Sequence, residues 1–125
     1  MTDTRTTIDE LKSAILKLVK AKGWGDENGV QNPQHVAMAM SVEMAELLEH
    51  FEWMDEAEVK ALLRGEKPEK TAAIAEEFAD VMMYGLQLTA CLGIDVSAQI
   101  ERKIGIVEQR PKHYKKVTIH TEVEG

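Results

Sequence analysis

The chain has 125 residues, 44% apolar and 30% charged, with a net charge of −7 and a single cysteine, Cys91. That length fits one domain with a modest core, and the acidic balance argues against a nucleic-acid surface. One cysteine excludes an intrachain disulfide framework. No run is apolar for the depth of a bilayer and residues 1–10 are polar, so a cytoplasmic location without a membrane partner is expected.

With only three prolines, and no stretch of β alternation bounded by hairpin signals, the chain reads as all-α. Thr7 with Glu10 forms a capping-box pattern before a first helix, whose stripe Ile8, Leu11, Ile15, Leu18 and Val19 runs to about Lys22. Gly23, Gly25 and Gly29 then mark a loop that carries Trp24. Trp24 is either an apolar plug over the helix ends or a flat wall of a ligand pocket.

Asn32 and Pro33 signal the start of a second helix, expected over about 33–54, with Val36, Met40, Leu47 and Phe51 on one side. Residues 55–65 predict a short helix. A third long helix is expected from about Glu69 to Leu92. Between Phe78 and Leu92 its only charge is Asp80, a pattern that predicts burial nearly all round. Asp95 or Ser97 opens a last helix, with Val96, Ile100, Ile104 and Val107 expected inward and Pro111 closing it. The domain is expected over 1–110, followed by a tail, 111–125, with some extended character over 115–121.

Acids recur at i and i+3 on the two longest helices: Glu43 with Glu46, and Glu77 with Asp80. That spacing stacks carboxylates on one helical face, and neither pair has a Lys or Arg within a turn. Like charges so placed repel, and burial raises the cost. A solvated shoulder would explain Glu43 and Glu46; it does not explain a lone Asp80 in an apolar run. A hard divalent cation held by both helices explains all four, and leaves coordination positions for phosphate oxygens. Glu49 lies further round the helix, Glu76 is a ligand or a solvated neighbour, and His50 reads as packed beside the ligands. Lys103 and Arg110 are seven residues apart; they are either a solvated face or two cations set to hold phosphate against the metal.

These residues resemble the MazG-type all-alpha nucleoside triphosphate pyrophosphohydrolases, and within them the small dCTP pyrophosphatase branch. The likeness rests on Glu43-x-x-Glu46, Glu77-x-x-Asp80, Lys103 and Arg110. Trp24 before the second helix, Phe51-Glu52-Trp53 after it, and Tyr84 one turn beyond Asp80 add to it. The chain departs from the pattern at Val42, His35 and Val107, where such proteins usually carry Gly, Asn and Asn.

The resemblance implies a helical bundle completed by dimerisation, often within a tetramer, with active sites shared between subunits. It implies Mg²⁺, or Mn²⁺, on Glu43, Glu46, Glu77 and Asp80, and hydrolysis of a nucleoside triphosphate between the α and β phosphates. Lys103, Arg110 and Tyr84 would hold phosphates. Trp24, His35 and Trp53 would line a base pocket. Glu46 or Glu49 would act as general base, and Lys103 would bear charge growing on the departing pyrophosphate. A rival reading is a non-catalytic nucleotide-binding or scaffold protein that kept the helices. A di-iron bundle is disfavoured, because no Glu-x-x-His motif is present.

Overall fold

A computed structural model describes residues 1–112 and gives an all-α fold: α1 (Ile8–Lys22), α2 (Pro33–Glu49), α3 (Glu56–Leu63), α4 (Pro68–Cys91) and α5 (Val96–Glu108). The chain divides into two units. The first, Met1–Ile94, is a bundle of α1 to α4; the second begins at Asp95 and carries α5.

Local chemistry fixes most helix ends. The Thr7 hydroxyl accepts the Glu10 amide at 3.1 Å. Asn32 Oδ1 accepts the Gln34 and His35 amides, Asp55 caps Glu58, and Asp95 caps Ala98. Each of these satisfies an amide left free in a first helical turn. Gly23 ends α1 at φ +68°, a left-handed conformation that glycine adopts without a Cβ penalty.

The bundle is built around α4. Its main partner is α2, and α1 and α3 pack on it as well. Met40 of α2 meets Gly85 of α4, Glu43 lies with Glu77 and Asp80, and His50 borders the same hollow as Pro68 and Ala73. Contacts in that reversed order make α2 and α4 antiparallel. At Gly85 a Cβ would stand only 3.3 Å from the Met40 methyl, so the absent side chain lets the two backbones approach. At the far end of the seam the Cys91 thiol donates to the Gln31 carbonyl. Lys12 Nζ donates to the Ile94 carbonyl at 2.6 Å, tying α1 to the residue after α4. The fully covered apolar core is small: Ile15, Val19, Val36, Val81 and Leu86.

The structure corrects three expectations. α2 ends at Glu49 rather than near Met54, because the chain turns through hydrogen bonds from the Glu52 amide to Leu48 and the Met54 amide to Phe51, then straightens so that Asp55 can cap α3. α4 is not buried nearly all round: Phe78 is 53% exposed and Leu92 56%, because its partners in the bundle cover only part of its circumference. On α5, Ile100, Ile104 and Val107 are exposed rather than inward, since an apolar stripe is buried only where another surface covers it. The expectation for 115–121 lies outside the described residues. Among the described residues, no single helix is long and apolar enough to cross a membrane.

Candidate metal centre

The α2–α4 seam carries the acid pairs. Helical spacing turns Glu43 toward α4 and both Glu77 and Asp80 toward α2. One carboxylate oxygen from each of Glu43, Glu77 and Asp80 lies within 4.8 Å of the other two, and all three side chains are half-buried. Opposite oxygens of an octahedral Mg²⁺ site are about 4.2 Å apart, so only small side-chain adjustments separate this spread from ligand geometry. Glu46 is exposed and outside that trio, yet its carboxyl stands near enough to raise both Glu43 and Glu77.

The electrostatics are unfavourable without a cation. Glu43 is pushed above the ordinary carboxylate range by burial first, then by the Glu46 hydrogen bond and the charges of Glu46, Asp80 and Glu77. Glu77 is raised by burial, then by the charge of Glu46, its hydrogen bond and the charge of Asp80, while His50 opposes the shift. Oε2 of Glu43 and Oε2 of Glu77 are sealed from solvent and have no hydrogen-bond partner. The ion pairs Lys60–Glu56 and Arg64–Glu66 lie on the surface and involve none of the cluster's acids. A set of hard oxygens, partly desolvated and mutually repelling, is compatible with a divalent cation.

The other expected site residues are dispersed. Glu49 and Glu76 are exposed and outside the trio. Tyr84 is half-buried on α4, one turn beyond Asp80. His35 is exposed in the first turn of α2, Trp24 is 54% exposed in the α1–α2 loop, and Trp53 is 87% exposed in the turn after α2. Lys103 is exposed on α5 and Arg110 is half-buried just past its end, both in the second unit.

Sequence reasoning missed a hollow of about 580 Å³ at the His50 end of the seam, lined by His50, Glu66, Lys67, Glu69, Lys70 and Ala73. The available signal was that Lys70 precedes Glu77 by two helical turns and shares its face.

The chain is 26% identical over 108 residues to dCTP pyrophosphatase 1 of Homo sapiens and of Rattus norvegicus, and 25% identical to that of Mus musculus. The matched segment is 86% of this chain and 61% of each relative, so the chain spans about three-fifths of their length. The MazG-like family model matches residues 38–120, a stretch that takes in both acid pairs and more than half of the sequence. By that match the chain belongs to the MazG-like family.

Proposed function

We propose that this protein is a Mg²⁺-dependent nucleoside triphosphate pyrophosphohydrolase, cleaving a (deoxy)nucleoside triphosphate at the α–β bond to monophosphate and pyrophosphate. The observation that carries this reading is the convergence of Glu43, Glu77 and Asp80, with two oxygens buried and unpartnered. These three, with Glu46 beside them, would hold the cation. When bound, the cation would neutralise phosphate charge and make an attacking water more acidic.

The chain's own residues supply the remainder. Glu46, exposed and one helical turn from Glu43, would accept a proton from water, and Glu49 one turn on is the second candidate base. Lys103 and Arg110 would hold the phosphates, with Tyr84. Trp24, His35 and Trp53 would form the base pocket, and their exposure in one chain fits a pocket closed by a second subunit, as a dimer or tetramer. The names of the relatives favour dCTP or a non-canonical relative of it as substrate. The role would be control of the nucleotide pool.

The test is a screen of normal and damaged nucleoside triphosphates with and without Mg²⁺, identifying both products. Equal release of pyrophosphate and nucleoside monophosphate, abolished by EDTA, is expected. Nucleotide binding without turnover would replace the enzyme by a non-catalytic binding protein.

A further inference from the structure

The hollow beside the acid cluster has a chemistry of its own. Lys67 and Lys70 line it, and the same two lysines border a second hollow of about 270 Å³ toward Met54, Glu58 and Leu62. Neither ammonium has a carboxylate partner within ion-pairing distance among the described residues. Of the two acids on the wall, Glu66 is already held by Arg64, through Nε–Oε1 at 2.8 Å and a second bond to Oε2 at 3.3 Å. Glu69 on this wall and Glu58 in the second hollow remain near the two lysines, neither of them within ion-pairing distance, and His50 also lines the first hollow.

The hollow and the acid cluster are neighbours along the α2–α4 seam, separated by about one helical turn. His50 stands one turn beyond Glu46 on α2, and Ala73 one turn before Glu77 on α4. Lys70 and Glu77 share a face of α4 with about 10 Å of helix between them. Side chains on α4 lean toward its N-terminus, so Glu77 leans toward Lys70, and a polyphosphate running that way from the carboxylates would come within reach of the lysine ammonium.

We infer that Lys67 and Lys70 form an anion subsite for the distal phosphates of a polyphosphate whose proximal phosphate is held at the acid cluster. The inference rests on the proposed function and deepens it. It places cations of the first unit, and not only Lys103 and Arg110, on the phosphate chain. Lysine suits the task as a mobile point charge with three donors, able to follow phosphates of more than one length. His50 lines the hollow, and its charge also acts on Glu77.

Calorimetric titration of the full chain in Mg²⁺, with tripolyphosphate and with orthophosphate as probes, tests this. Four proteins are compared: wild type, Lys67→Gln/Lys70→Gln, Asp80→Asn, and Lys17→Gln/Lys22→Gln, which removes equal charge from α1. The Lys67/Lys70 variant should bind tripolyphosphate about tenfold more weakly, as loss of charged hydrogen bonds predicts, and orthophosphate almost unchanged. Asp80→Asn should lose both probes and the α1 variant neither. If the Lys67/Lys70 variant binds tripolyphosphate like wild type, or no more weakly than the α1 variant, while Asp80→Asn fails, the subsite is wrong and the metal site stands. If Asp80→Asn binds both probes undiminished, or wild type binds neither, the metal-site reading falls and the subsite with it.

Discussion

Glu43 and Glu77 approach each other from α2 and α4, each with an Oε2 closed off from water and bonded to nothing. Two desolvated carboxylates without a cation should destabilise the metal-free protein. Asp80→Asn should therefore leave metal-free stability unchanged or raised. It should also lose the Mg²⁺ stabilisation of the wild type, which is about 2.7 kcal/mol when Mg²⁺ is at roughly a hundred times its Kd. Thermal melts in EDTA and in Mg²⁺ measure both quantities. An undiminished Mg²⁺ shift in Asp80→Asn would remove it from the ligand set.

The raised carboxyls fix the sign of a pH dependence. Glu43 and Glu77 titrate above the ordinary value of 4.5 in the folded state and near it when unfolded. Between 4.5 and the folded value the native state binds more protons, so stability falls as pH rises through that window and stays low above it. In EDTA, urea denaturation should show Glu43→Gln/Glu77→Gln gaining on wild type across this window and then holding its lead. Mg²⁺ should shrink or reverse the lead. A stability difference that ignores pH would show that the pair is not strained.

Trp53 projects from the turn after α2 almost fully exposed. If it stacks on a base, Trp53→Ala loses about 1–3 kcal/mol of binding and flattens the preference among bases. Lys103→Ala should instead slow every nucleoside triphosphate by a similar factor, because phosphate is common to all of them. Specificity constants for the four deoxynucleoside triphosphates separate the two roles. A reordered preference in Lys103→Ala, with uniform loss in Trp53→Ala, would exchange the assignments.

The first unit leaves Leu48, Phe78 and Met82 on its surface, and the second leaves Ile100 and Ile104. Apolar exposure on this scale marks association surfaces, so the 14.0 kDa chain should run as a dimer or larger at micromolar concentration. Light scattering checks this, and Phe78→Glu should shift the distribution toward the monomer. A monomeric wild type would leave the exposed base-pocket residues without their second wall.

Much of this architecture was legible residue by residue. Thr7 with Glu10 and Asn32 before Pro33 are short-range caps that function where the sequence puts them, and of the two residues offered for α5, Asp95 and Ser97, it is Asp95 that caps. The acid pairs were legible because a helix converts their spacing into one face. What the sequence did not show is how much of a helix its neighbours cover: Phe78 and Ile100 are as apolar as any core residue, and their exposure depends on which surfaces meet them. The end of α2 was obscured because Phe51 continues its apolar periodicity past the point where the backbone turns. The lysine-lined hollow was hidden because His50 and Lys70 meet only when α2 and α4 fold back on each other.

The gap left by Gly85 belongs to Met40 as much as to Gly85. A side chain at 85 would require the Met40 methyl to shift by a few tenths of an ångström, so the two positions are coupled. Among related chains they should change as a pair: an alanine or serine at 85 goes with a shorter residue at 40, and a bulkier residue at 40 keeps glycine opposite. Substitutions that respect their sum keep the two carboxylate-bearing helices at the same separation.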